Sequence, residues 1–173
     1  MNVTKYLVKS GISLDVYRNH QVIKRVFPSS KFVYSEANNG FEVTTQGIPE
    51  GGVVCKKKES LIGSSMVFSL RVNLVKRNNS TKKREAITDP AEALSWIKNK
   101  ASLSGFSVDS IEVAFEGIRT GKKRGQFLTF NSVLFSGVLT VNDESKFSSS
   151  VYEGFGPAKA FGFGAMVWKT ESI

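Results

Sequence analysis

The sequence predicts an α+β protein made of two consecutive units. Strand and helix signals in the second half follow the order β-α-β-β-α-β. The first half opens in the same order, as β-α-β-β with one further strand signal, but its second helix is missing or reduced to a loop. The chain has 173 residues, enough for one domain or two small ones. These observations point to tandem ferredoxin-like (RRM-like) βαββαβ domains, the first one abbreviated, spanning residues 1–62 and 63–173. The halves share no close repeat, so the division rests on element order.

In the first unit, residues 3–9 carry the β-branched and aromatic content of a strand, and Gly11 ends it. Ser13 is a candidate cap for a helix that runs to Phe27, where Pro28 stops it. Val16, Ile23, Val26 and Phe27 form its apolar stripe, and His20 lies on the border of that stripe. Tyr17 and Lys24, three residues before and four after His20, share its face. Residues 31–35 and 41–45 read as strands joined by a turn at Asn38-Asn39-Gly40. Residues 47–52 read as a loop, 53–57 as a fourth strand and 61–65 as a linker.

The second unit has firmer punctuation. Residues 66–75 form a strand. Asp89-Pro90-Ala91-Glu92 opens a helix with a cap, a first-turn proline and a glutamate placed to reach back. Leu94, Ile97 and Ala101 give that helix a core face, and Gly105 ends it. Strands over 106–115 and 127–141 follow, the latter bent near Gly137, with a basic tip at 119–124 between them. A helix over 143–153, a glycine-rich stretch and a last strand over 161–168 complete the order.

Charge narrows the function. The formal net charge is +9, from 24 basic and 15 acidic residues, which points to a polyanion such as RNA or DNA. The charges cluster: Lys76, Arg77, Lys82, Lys83 and Arg84 in one group, and Arg119, Lys122, Lys123 and Arg124 in another. The single cysteine, Cys55, excludes an intramolecular disulfide and suits a cytoplasmic protein. No apolar run approaches a membrane span, and residues 1–10 do not read as a signal peptide.

Gly154-Phe155-Gly156-Pro157-Ala158-Lys159-Ala160-Phe161-Gly162-Phe163-Gly164 places four glycines around one lysine, and Phe161 and Phe163 open the apolar run that follows. Two readings fit. Inward-turned N–H groups beside a lysine make a phosphate cradle. Alternatively, the stretch is a turn into the last strand, with glycine wherever chains cross closely. A dinucleotide fingerprint would need a strand before the glycines and a helix after them, which is the reverse of this order. A P-loop would need Ser or Thr after the lysine, where Ala160 stands.

His20 is the only histidine, and with it the only side chain that ordinarily titrates near neutrality. It reads either as a packed histidine or as a proton-transfer group. One cysteine and one histidine do not make a zinc site, and the acids are scattered rather than clustered for two-metal chemistry. No cofactor motif marks a small-molecule substrate. RNA, however, supplies its own nucleophile, the 2′-hydroxyl. An enzyme need only align it with the phosphorus, move protons and neutralise charge.

Several segments together resemble a known family. The glycine stretch is similar to the C-terminal glycine-rich loop of RAMP-superfamily proteins, and more closely to CasE-type CRISPR RNA-processing endoribonucleases of Cascade. Asp15-x-Tyr17-x-x-His20 followed by Val26-Phe27-Pro28 resembles the family's first helix. Met66 to Asn73 with Lys76-Arg77, Asp89 to Trp96, and Asn131 to Val141 resemble its next segments, in the right order. The resemblance implies cleavage of CRISPR repeat RNA at the base of a hairpin. The cleavage is metal-independent and needs no cofactor. It leaves a 2′,3′-cyclic phosphate and a 5′-hydroxyl, and the product stays bound within an effector complex of other subunits. It assigns His20 and Tyr17 to catalysis. It places RNA contacts at Lys159 in the glycine loop, with Gly154, Gly156 and Gly162 around it, and at the tip from Arg119 through Lys122, Lys123 and Arg124. Lys24, Lys76 and Arg77 complete the expected RNA-binding set. The chain departs from the family after Thr45, where a helix is lacking. Rival expectations are a non-catalytic guide-RNA-binding subunit of the same superfamily and an unrelated RRM-like RNA-binding module.

Overall fold

The computed structural model describes residues 1–51 and 55–170. The first unit contains β1 (Asn2–Lys9), α1 (Val16–Val26), β2 (Val33–Ala37), β3 (Gly40–Thr44) and β4 (Cys55–Leu61). Its antiparallel sheet has the order β2-β3-β1-β4. The second unit contains β5 (Ser65–Asn73), β6 (Val75–Arg77), β7 (Arg84–Ala86), α2 (Pro90–Leu103), β8 (Phe106–Lys123), β9 (Gln126–Val141), α3 (Glu144–Glu153) and β10 (Met166–Thr170). Its main sheet runs β10-β5-β9-β8, and β6 and β7 make a separate ribbon. Each four-stranded sheet therefore has the ferredoxin-like order, with its last strand beside its first. Between β3 and β4 the described residues contain no helix, in keeping with an abbreviated first unit.

Burial follows from the periodicities. Ile23, Val26 and Phe27 pack on Tyr6, Val8, Phe41 and Val43, so α1 covers one face of the first sheet. The second core gathers Met66, Phe68, Leu70 and Val72 from β5 with Ile97, Phe147 and Trp168. Alternate residues of β5 point to that core, as a strand covered on one face requires.

The two units pack against each other at several points. Buried Lys5 on β1 donates to Glu42 Oε1 at 2.7 Å and to the Met166 carbonyl at 3.1 Å. Its ammonium also stands 3.9 Å from the Trp168 ring centroid. A charge taken out of water persists only with such compensation. Val16 of α1 joins Phe130 of β9 and Phe163 of the glycine stretch in a third apolar cluster. Arg119 of β8 pairs with Glu36 of β2 at 2.8 Å.

Several boundaries differ from the sequence reading. Asp15, not Ser13, caps α1: its carboxylate accepts from Tyr17 N–H at 2.9 Å, while the Ser13 hydroxyl accepts from Asp15 N–H. The strand expected at 31–35 is β2, starting at Val33. The strand expected at 53–57 begins at Cys55 and runs on to Leu61, the first residue of the expected linker; residues 53 and 54 lie outside the described residues. The strand expected at 66–75 breaks at Leu74. There Asn131 holds the Leu74 and Ile87 carbonyls at 2.7 and 3.0 Å, turning the chain into the β6–β7 ribbon. Glu92 does not reach back to its own helix cap, because its carboxylate pairs with Lys76 at 2.7 Å. The last strand starts only at Met166, since residues 159–161 form a 3₁₀ turn.

The largest difference is the basic tip. β8 continues through Lys123, so Arg119 to Lys123 belong to a strand of a long hairpin arm rather than to a loop. The reversal is the two-residue turn Arg124-Gly125, with φ of 49° and 79°. Positive φ at both central residues is the hairpin turn that matches strand twist.

A candidate RNA-cleavage site between the two units

Spacing on α1 puts Tyr17, His20 and Lys24 on one side of the helix. The Tyr17 and His20 ring centroids are 6.3 Å apart. Phe32, just before β2, stacks on the imidazole at 5.6 Å with 29° between the planes. Phe161, from the 3₁₀ turn, approaches it at 5.9 Å and 51°. Among the described residues, His20 Nδ1 is buried without a hydrogen-bond partner. The nitrogen left to meet a substrate is therefore Nε2.

The electrostatics favour a neutral ring. Burial lowers the His20 pKa below its ordinary value, and the cations of Lys24 and Lys123 push the same way. The Ala160 backbone beside the ring favours the protonated form, although it does not reach hydrogen-bond geometry with the buried Nδ1. A neutral imidazole at physiological pH is ready to accept a proton.

His20 opens onto a cleft of about 890 Å³ between the units. Lys24, Lys31 and Lys159 line it with a single acid, Glu153, and Phe32 and Tyr152 supply aromatic walls. Such a cleft suits a phosphate backbone passing a proton-transfer group. Among the described residues, no three His, Cys, Asp or Glu side chains converge to hold a metal ion.

The residues expected from sequence fall into three groups. His20, Lys24 and Lys159 line the cleft; Tyr17 stands beside His20 without lining it, and the Lys123 ammonium of the hairpin arm lies 5.8 Å from the Tyr17 ring. Lys122 and Arg124 occupy the end of that arm, with the Lys122 ammonium 5.5 Å from the Phe127 ring. Arg119 is engaged with Glu36, so it serves the contact between the units. Lys76 and Arg77 lie on the β6–β7 ribbon, and Lys76 is paired with Glu92.

Gly154, Gly156 and Gly162 turn their Cα hydrogens toward protein rather than toward an open cradle. A Cβ on Gly162 would lie 3.1 Å from the Tyr34 ring, and one on Gly154 would lie 2.6 Å from Val33. A Cβ on Gly156 would press on Trp96 at 3.3 Å. These contacts explain the glycines by close packing, the second reading of the stretch. Lys159 supplies the charge. Sequence reasoning did not single out Lys31, Phe32 or Tyr152, because the first two lie in the connection before β2, Tyr152 lies on α3, and no local pattern joins them to His20.

The profile of a family described as "CRISPR associated protein" matches residues 32–169. The chain belongs to this family. Among its relatives, the CRISPR-associated endoribonuclease Cse3 of Thermus thermophilus is 32% identical over 116 residues. That alignment takes in 60% of this chain and 55% of the Thermus protein, just over half its length. The CRISPR system Cascade subunit CasE of Escherichia coli K12 is 24% identical over an alignment covering 96% of this chain and 98% of that protein. Among solved structures, Thermus thermophilus Cse3 bound to an RNA representing a pre-cleavage complex superposes with a TM-score of 0.76. It is 23% identical, covers 98% of this chain and is itself covered to 99%. This CRISPR-associated chain thus shares the fold of that protein along nearly its whole length.

Proposed function

We propose that this protein is a metal-independent endoribonuclease that cuts CRISPR precursor RNA at the base of the repeat hairpin. The observation that carries the reading is His20: a half-buried, neutral imidazole beside Tyr17, at the mouth of a lysine-lined cleft. The names of the relatives, an endoribonuclease and a Cascade subunit, support the same substrate and an assembly with other effector subunits.

The 2′-hydroxyl of the nucleotide 5′ to the cut attacks the adjacent phosphorus, and the bond to the 5′-oxygen of the next nucleotide breaks. A 2′,3′-cyclic phosphate and a 5′-hydroxyl result. His20 moves a proton at Nε2, with Tyr17 beside it. Lys24, Lys123 and Lys159 offset the negative charge that builds on the phosphoryl oxygens. Contacts along the hairpin arm hold the product after the cut.

Replacing His20 with alanine tests the assignment. General acid–base groups contribute at least about 10²-fold, so single-turnover cleavage of repeat RNA falls by that factor or more. RNA affinity stays within a few fold, because the imidazole acts mainly in the transition state. The wild-type protein cuts in EDTA and fails on RNA with a 2′-deoxy nucleotide before the cut. Near-normal cleavage by the His20 variant overturns the assignment. Activity that needs added divalent metal overturns the mechanism.

A further inference from the structure

We infer that Phe32 is a positioning residue for the reaction: its ring, stacked on the imidazole of His20, fixes the plane in which Nε2 meets the RNA. The inference rests on the reading of His20 as the proton-transfer group. A catalytic histidine is ordinarily oriented by a hydrogen bond to the ring nitrogen that does not face the substrate. Here that nitrogen, Nδ1, is buried and has no hydrogen-bond partner among the described residues. Orientation must come from packing.

The packing is one-sided in geometry. Phe32 lies nearly parallel to the imidazole, with 29° between the planes at 5.6 Å, whereas Phe161 meets it at 51° and 5.9 Å. Tyr17 is farther still, at 6.3 Å. A near-parallel offset pair restricts rotation about the bond that carries the ring, which a tilted edge contact does less well. Phe32 is itself held. Its ring is 6.5 Å from Phe27 and 6.2 Å from Tyr34, both of them fully buried. The chain of contacts runs from the core of the first unit, through Phe32, to the imidazole. Phe32 also lines the cleft, so it borders the path of the RNA without carrying a group able to exchange a proton.

Three variants test this. Phe32→Leu keeps apolar bulk and removes the stack, Phe32→Met does the same with a more adaptable chain, and Phe32→Tyr keeps the ring. The protein has one histidine, so a single Cε1–H proton resonance reports on its ring in the RNA-free protein. In wild type the ring current of Phe32 should displace that resonance. We expect Leu and Met to lose the displacement and to slow single-turnover cleavage by about 10-fold or more, within the roughly 10²-fold range of small misplacements. RNA affinity should fall by less than the cleavage rate, and both variants should remain folded and unfold cooperatively. Tyr should retain both the displacement and most of the rate.

Cleavage by a folded Leu or Met variant at close to the wild-type rate overturns the inference. So does a slow variant whose His20 resonance has not moved, or a Tyr variant as slow as Leu. If Phe32→Leu does not fold, Met carries the same comparison. The resonance is read without RNA, so a displacement lost in Leu while His20→Ala still cuts normally rejects the catalytic assignment and keeps the stack.

Discussion

The carboxylate of Asp15 accepts the backbone N–H of Lys122 at 3.2 Å while it caps α1 through Tyr17 N–H at 2.9 Å. One side chain thus joins the helix that carries His20 to the hairpin arm of the other unit. Gly121 sits at this crossing, where a Cβ would come within 3.0 Å of Val16. Asp15→Ala should lose the cap and loosen the arm. Losing a cap costs about 0.5–2 kcal/mol, which lowers the melting temperature by roughly 2–4 °C per kcal/mol in a chain of this size. Asp15→Asn keeps capping ability and should melt close to wild type. Thermal denaturation of the two variants decides; equal melting of Asp15→Ala and wild type removes the joint role.

The pH dependence follows from His20. Its pKa lies below 6.5 in the folded protein, first because it is buried and then because Lys24 repels a second positive charge. The unfolded chain therefore binds the proton first. Stability contributed by the neutral ring is present above 6.5 and is lost as pH falls through the folded-state value. The acid limb of kcat/KM, which reports the free enzyme, should likewise fall below pH 6.5. Lys24→Ala removes a repelling cation and should move both the NMR titration of His20 and that limb upward. A limb that stays in place, or moves down, contradicts the assigned cause.

Gly162 tests whether the glycine stretch is built for packing. Its φ is 84°, and the site of a Cβ lies 3.1 Å from Tyr34. An L-residue held in this backbone region costs about 1–3 kcal/mol. Gly162→Ala should therefore destabilise the protein by about that amount in chemical denaturation. It should also slow cleavage, because Ala160 and Phe161, next along the chain, flank His20. A variant of wild-type stability would return the stretch to the phosphate-cradle reading.

Element order was legible because each signal was local. Asp89 at the start of α2 and Gly105 after its end act within a few residues, and both stand where the sequence reading placed them. The α1 face with Tyr17, His20 and Lys24 was legible for the same reason, since helical spacing fixes it. What the sequence hid depends on partners far along the chain. Leu74 leaves its strand because of Asn131, and Glu92 leaves its cap for Lys76. Phe32 meets His20 only once β2 has paired beside β3, and the cation of Arg119 turns inward only because Glu36 faces it. No local pattern contains these choices, and the hairpin arm, read as a loop of four free charges, is the clearest consequence.

That consequence can be measured as salt dependence. Each phosphate neutralised by a lysine or arginine releases counterions, which gives a slope of about 0.9 in log affinity against log salt on duplex DNA. Lys122, Lys123 and Arg124 project from the exposed end of the arm. Replacing all three with alanine should flatten the slope for repeat-hairpin RNA, by at most about 2.7 if each reaches a phosphate. Arg119 should behave differently. Its guanidinium is committed to Glu36 at 2.8 Å, so Arg119→Ala should leave the slope nearly unchanged and instead lower the melting temperature by loosening the contact between the units. Lys159→Ala should reduce both affinity and cleavage rate, because Lys159 lines the cleft with His20. Filter binding at several salt concentrations separates the three. An unchanged slope in the triple variant takes the arm out of the RNA interface, and a slope that drops in Arg119→Ala as steeply as in the triple variant means the Glu36 pair opens to RNA.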